Sequence, residues 1–414
     1  MYVLTKKSCT KIMLNSDFDE LKNWMFGSLN ELLKDLKHNP KYDIIKMSIG
    51  EPKMDPPQFI LNILNNSLSD WGRYPPVEAV PKLKSAIAHY LSKRFLGSEN
   101  IVNQNKHVLP VPGTREPLHL IGLIAKNRNK RNPIAIVTNP FYHAWRAGGI
   151  ESSSKIYWIN ADENNDYNPN LDVIPVEILK STVIMYLCFP SNPQGGITNF
   201  NYLEKAIKLA REHDFVLALD ECYIDISRQN LSKPIGALDV LVKMKSDLKN
   251  IIIFNSLSKR SNVAGLRAGF IVADKKIIDI YKLLVSNGAS PLPIPIQNAA
   301  ADLYLDEEHN FLACKQYDEN FEIAYKYLKQ FVPNLKIPDA GFFLWLPVNN
   351  DLKMTIDLWR HYSLRVMPGS FMAKEINGYN PGKGFLRIAL VDNSAVIVEA
   401  MERITDYLKK INYE

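Results

Sequence analysis

Apolar residues follow two rhythms along this chain. Between Asp17 and Lys37, Phe18, Leu21, Met25, Leu29, Leu32 and Leu36 recur every three or four residues. That spacing predicts one amphipathic helix. From about His107 the rhythm shortens. The runs HVLPV, PIAIVT, KIYWI, TVIMYLC, FVLAL, NIIIFN and RAGFIVA are almost wholly apolar. Strands read this way when both faces are covered, as in a parallel sheet. Helical stretches separate several of them, such as Tyr202–His213 with Leu203, Ile207 and Ala210 on one face. The pattern predicts an α/β domain whose mainly parallel central sheet is sandwiched by helices. Ligands of such sheets sit at the carboxyl ends of the strands, so the polar residues just after each run are the candidates for chemistry.

From about Pro293 the style changes. A long helical stretch, Ile294–Phe331, is predicted to break near Asp306. Short strands follow at FFLWLP and GFLRIAL, then a terminal helix with Val396, Ala400, Ile404 and Leu408 on one face and Asn393 as its cap. This predicts a smaller α+β domain onto which the first helix packs. The expected division is a large domain over residues 45–292 and a discontinuous small one over 1–44 and 293–414.

Composition narrows the class. Hydrophobic residues at 46% supply ample core, which excludes global disorder. No apolar run reaches the length of a membrane span, and the N-terminal stretch lacks a secretory core. Four cysteines, Cys9, Cys188, Cys222 and Cys314, have no CxxC spacing. They read as free thiols in a reducing compartment, so the expectation is a cytoplasmic protein without a metal site. Fifty basic against 44 acidic residues leave a net charge of +6, spread along the chain, which argues against a nucleic-acid partner. No phosphate-binding glycine motif of the nucleotide-binding types occurs.

Four strand ends carry candidate chemistry. Lys259 follows NIIIFN among Ser256, Ser258 and Ser261, with Arg260 beside it and Arg267 eight positions on. A lysine at a strand rim, partly desolvated and near cations, becomes a nucleophile, and the hydroxyls and arginine suit a phosphate. The alternative is a solvated basic loop. Asp220 ends FVLALD, with Tyr223 three residues later. It can face a metal, a ribose or a protonated ring nitrogen, or cap a following helix. Asn192 lies in PSNPQGG, either projecting its amide at the strand end or serving only the turn. Gly113, Thr114 and Arg115 in PGTRE open a helix, the geometry of an anion site.

Taken together, these motifs resemble the fold-type I pyridoxal-phosphate aminotransferases of class I/II, in the family's order, from about Ile45 to Tyr407. The resemblance implies a pyridoxal 5′-phosphate cofactor. It implies Lys259 as the Schiff-base lysine, Asp220 as partner of the ring nitrogen, and Tyr223 and Asn192 as partners of the ring oxygen. Ser256 and Arg267 would hold the phosphate, with Gly113, Thr114 and Arg115 nearby and Tyr142 of NPFYHAW stacked on the ring. Arg387 of GFLRIAL would clamp the substrate α-carboxylate, with Gly50 of SIGEP as a backbone contact. Tyr74 of RYPP would reach the phosphate of a neighbouring subunit, which implies a homodimer with active sites at the interface. Three positions depart from the family's pattern: Gln194 for threonine, Ala79 for glycine and Lys84 for arginine. They affect turns, and no reacting group is lost.

SLSKRSNVAGLRAGFIVAD and NPFYHAW, with IGEP, RYPP, DECY and GALDVL, are most similar to the N-succinyl-LL-diaminopimelate aminotransferases of lysine and peptidoglycan precursor synthesis. The resemblance implies glutamate as amino donor and 2-oxoglutarate as its product. Arg115, Arg146 and Arg260 are candidates for a distal substrate carboxylate, Arg115 first because it starts a helix beside the cofactor. Other readings are an aminotransferase of aspartate, aromatic or alanine type, or a β-lyase on the same fold. A regulator fusing this fold to a DNA-binding domain is not expected, since only about forty residues precede the cofactor domain.

Overall fold

A computed structural model describes residues 16–22, 24–127, 129–153 and 155–411. Cys9 and the first fifteen residues lie outside the described residues, as does the side chain of Phe18. Strands are numbered in chain order: β1 Ile45–Lys46, β2 Val108–Val111, β3 Ile134–Asn139, β4 Lys155–Asn160, β5 Thr182–Cys188 and β6 Val216–Asp220. They continue as β7 Ile251–Ser256, β8 Gly269–Ala273, β9 Phe343–Pro347, β10 Leu364–Arg365, β11 Met367–Pro368 and β12 Phe385–Ala389.

Among the described residues, seven strands form one sheet in the order β2-β8-β7-β6-β5-β3-β4. Neighbours from β7 to β4 run parallel, and β8 alone runs against its neighbours β7 and β2. The apolar runs are explained by burial on both faces. Met185 and Leu187 of β5 enter one apolar cluster, while Ile184 and Tyr186 enter the other. Period-2 alternation thus feeds two cores from one strand.

A second sheet, β11-β12-β9, is antiparallel throughout. Leu344 and Leu346 of β9 pack with Ile397, Ala400, Met401 and Ile404 of the terminal helix Ser394–Ile411. That helix begins as its sequence predicts, with the Asn393 side chain accepting from the Val396 amide at 3.1 Å. The long helical stretch breaks at Asp306, into Ile294–Leu305 and Glu308–Leu328.

The first helix is shorter than its periodicity suggests. A 3-10 turn over Ser16–Lys22 precedes the α-helix Met25–Leu33, and Trp24 between them is extended. The helix packs Met25, Leu29 and Leu33 against Trp345, Met367 and Met372 of the second sheet and its flank. This places Met25 at the seam between the two sheets.

The departures from the family pattern keep local geometry by other means. Ala79 retains a left-handed backbone at φ 67°. Gln194 is buried and donates to the Ala161 carbonyl at 3.2 Å. Lys84 is buried and pairs with Glu78 at 3.5 Å.

Candidate active site

The carboxyl ends of β5, β6 and β7 open into a cavity of about 380 Å³. Lys259 reaches it because β7 turns at Ser256 into a single helical turn, Leu257–Arg260. The Ser256 hydroxyl accepts from the Ser258 amide at 3.2 Å and closes that turn. Lys259 Nζ donates to the Gly50 carbonyl and lies 5.9 Å from the centre of the Phe342 ring. Burial lowers its pKa to about 8, and Arg387 and Arg115 push the same way. A sizeable neutral fraction near physiological pH makes it a competent nucleophile and base.

Asp220 ends β6 and is 3% exposed. Its Oδ2 accepts from Trp145 Nε1 at 3.1 Å and its Oδ1 from the Cys222 amide at 3.3 Å. Burial raises its pKa, opposed by those hydrogen bonds. It makes no ion pair among the described residues, and no helix follows it directly, so it does not act as a helix cap. A buried carboxylate with only neutral donors leaves room for a cation on its cavity side. Tyr223 lines the same wall, its ring buried against Phe342 and Phe343.

Arg387 enters from the other sheet. It lies at the middle of β12, 1% exposed, with its guanidinium 4.4 Å from the centre of the Phe343 ring. Nη1 donates to Asn192 Oδ1 at 3.0 Å and Nη2 to the Ser48 carbonyl at 2.6 Å, while Nε has no partner. Burial lowers its pKa to about 10. No carboxylate pairs with it among the described residues. A buried guanidinium held only by neutral oxygens is prepared for a carboxylate ligand.

At the far end, Thr114 precedes the helix Arg115–Ala125 and makes no side-chain capping bond. Arg267 Nη1 donates to Ser258 Oγ at 3.3 Å and to the Ala264 carbonyl at 2.8 Å. Gly113 is what lets Arg267 come this close. Its φ is +74°, and a Cβ there would stand 2.2 Å from Arg267 Nη2. Arg115 Nε donates to the Tyr142 hydroxyl at 3.0 Å. Neither arginine forms an ion pair among the described residues. Two cations, two serines, a threonine and a helix N-terminus together make a site for a doubly charged anion.

The structure thus gathers Lys259, Asp220, Tyr223, Asn192, Ser256, Arg267, Thr114, Arg115, Tyr142, Gly50 and Arg387 around one cavity, with Gly113 packed directly behind Arg267. Tyr74 stands apart, 100% exposed. Arg260, a candidate for the distal carboxylate, is turned away. It pairs with Asp225 at 3.1 Å, beside Arg94, and donates to the Leu303 carbonyl. Arg146 lies outside this cavity, over the Phe141 ring. Sequence reasoning missed Trp145, which holds Asp220, and also Met25 and Phe343. The spacing of Trp145 three residues after Tyr142 in NPFYHAW was the available signal.

Residues 42–404 match the family Aminotransferase class I and II, and the chain belongs to that family. It is 27% identical over 401 residues to the LL-diaminopimelate aminotransferase of Natranaerobius thermophilus, covering 94% of this chain and 98% of that one. Among solved structures, an aminotransferase from Neisseria meningitidis is 31% identical, with a TM-score of 0.89 over 95% of this chain and 100% of that one. The aminotransferase AspB from Helicobacter pylori is 27% identical, with a TM-score of 0.84 over 93% of this chain and 98% of that one. The enzymes of this family depend on pyridoxal 5′-phosphate. The cavity fits that group: an anion site at Thr114 and Arg267, a buried carboxylate at Asp220, and an amine at Lys259.

Proposed function

We propose that this pyridoxal-phosphate-dependent aminotransferase exchanges an amino group between glutamate and a long dicarboxylic 2-oxo acid of the diaminopimelate skeleton, with the N-succinylated form as the preferred partner. The observation that carries the reading is the buried, carboxylate-free guanidinium of Arg387 facing the same cavity as the depressed amine of Lys259. The name of the relative supports the diaminopimelate skeleton. The similarity around SLSKRSNV and NPFYHAW supports the succinylated form.

When bound, pyridoxal phosphate supplies an electron sink conjugated with the substrate nitrogen. Thr114, Ser256, Ser258 and Arg267 would hold its phosphate, and Tyr142 would flank its ring. Asp220 keeps a proton at the ring nitrogen, because a carboxylate in this dry wall favours a cation opposite it. Asn192 and Tyr223 donate to the ring oxygen. Arg387 grips the substrate α-carboxylate with parallel hydrogen bonds and so fixes the direction of the Cα–H bond. Lys259 takes the proton from Cα. The Phe342, Phe343 and Trp145 side chains keep water from that exchange. Tyr74, fully exposed in a single copy, would complete the phosphate site of a second copy, and the working unit would then be a homodimer.

The test is a half-reaction screen. The cofactor-loaded protein is mixed with single amino acids, and loss of the cofactor's long-wavelength absorbance is followed. Glutamate and N-succinyl-LL-diaminopimelate should react fast, with alanine and aromatic amino acids at least tenfold slower. A preference for alanine or phenylalanine would refute the substrate assignment. Release of pyruvate and ammonia, without amine transfer to 2-oxoglutarate, would identify a β-lyase instead.

A further inference from the structure

A second cavity, of about 230 Å³, adjoins the first. Met25 and His143 line both. Its other walls are mostly apolar, from Trp24, Phe141, Ala147, Phe371 and Met372, and Arg146 is the cation on them. The shared wall is unusual. His143 Nδ1 is buried without a hydrogen-bond partner. Its ring lies 4.2 Å from that of Tyr142, tilted by 53°, and meets Trp24 edge-on at 5.9 Å. Burial, with Arg115 on one side and Arg146 on the other, lowers its pKa to about 4. The imidazole is therefore neutral, with an unmet polar atom buried in the wall between the two cavities. Such an unpaired buried atom is costly.

We propose that the two cavities form one substrate site, in which the α-amino acid end lies between Lys259 and Arg387 and an aliphatic or acyl chain passes His143 into the second cavity, ending as a carboxylate at Arg146. The inference rests on the aminotransferase reading above and adds the place of the substrate's distal half. Apolar walls select methylenes, each worth about a fourfold gain in affinity on leaving water. The terminal carboxylate competes for Arg146 with Glu20, its electrostatic neighbour. The exposed Arg115, hydrogen-bonded to Tyr142, stays with the cofactor end.

The experiment compares binding of glutarate, suberate and octanoate to the cofactor-loaded protein by calorimetry, for wild type, Ala147→Phe and Arg146→Gln. Suberate should bind wild type at least tenfold more tightly than glutarate. Ala147→Phe, which fills the second cavity, should remove that gain while glutarate affinity stays within twofold. Arg146→Gln should weaken suberate about tenfold and leave octanoate unchanged, and it carries the test alone if Ala147→Phe does not fold. Equal effects on glutarate and suberate, or none on suberate, overturn the proposal while leaving the Arg387 site standing. If neither dicarboxylate binds and no amino acid reacts, the reading of the whole site falls with it.

Discussion

Arg387 donates through Nη1 to the amide oxygen of Asn192 across 3.0 Å, joining the three-stranded sheet to the loop after β5. With its oxygen committed there, Asn192 keeps only its NH₂ group for a ligand. In the proposed reaction, one side chain would thus steady the carboxylate clamp and leave a donor for the cofactor ring.

Replacing either partner should separate these duties. Arg387→Ala should lower kcat/KM on the order of 100-fold or more for every amino acid, through KM as well as kcat. Asn192→Ala should cost roughly tenfold and shift the absorbance of the bound cofactor. A substrate-selective loss in Arg387→Ala would show that it binds a side chain and not the common α-carboxylate.

Borohydride treatment of the loaded protein should fix the cofactor to the peptide containing Lys259. Without cofactor, the same lysine burdens the fold. Its pKa falls from the ordinary 10.5 to about 8 through burial. Below pH 8 both folded and unfolded chains hold the proton, so the penalty is full. Between pH 8 and 10.5 only the unfolded chain keeps it, and stability rises with pH. Lys259→Met should therefore stabilise the cofactor-free protein by roughly 3 kcal/mol at pH 7, a gain that shrinks above pH 8. Denaturant unfolding at pH 7 and pH 10 measures it.

Asp220→Asn should cut turnover on the order of 100- to 1000-fold while the fold persists. Trp145→Phe removes the hydrogen bond to Oδ2 and should raise the Asp220 pKa further. The acid limb of the rate profile should then move to higher pH, without the full loss seen in Asp220→Asn. An unchanged acid limb would mean that Trp145 only packs.

Gly113→Ala puts a methyl group where Arg267 now stands, at a φ that alanine resists. Strain of about 1–3 kcal/mol should appear as roughly 5- to 150-fold weaker cofactor binding. Titration of the stripped protein with pyridoxal phosphate reads this directly. Wild-type affinity would mean that Arg267 does not touch the phosphate.

Ala79 holds a φ of 67° that glycine takes without cost. Ala79→Gly should raise stability by about 1 kcal/mol, less the extra freedom glycine gives the unfolded chain. A fall in melting temperature would show that the Ala79 methyl contributes packing that outweighs its backbone strain.

Much of this site can be read in the sequence because strand ends concentrate it. Asp220, Asn192 and Lys259 each follow an apolar run that a two-sided sheet requires. The same logic misleads at Arg260. Adjacent residues on a helical turn point about 100° apart, so Lys259 faces the cavity while Arg260 turns back to Asp225. The first helix looked continuous because periodicity does not register the extended Trp24 between two helical segments. Phe343 escaped notice because nothing local marks it, and Trp145 because its spacing from Tyr142 does not by itself say what it touches. Their roles arise only where the helix His143–Ser152 and β9 meet the sheet ends. The reversed strand β8 is likewise invisible in a wholly apolar run, yet it brings Arg267 back beside Gly113.

Lys259 stands on the helical turn that follows β7 of the seven-stranded sheet, and Arg387 on β12 of the three-stranded one. A ligand gripped by both would be a strut between the two sheets. Prising them apart then requires breaking that grip as well as parting the protein surfaces. Such a ligand would act mechanically as well, bracing the two sheets for as long as it stays bound.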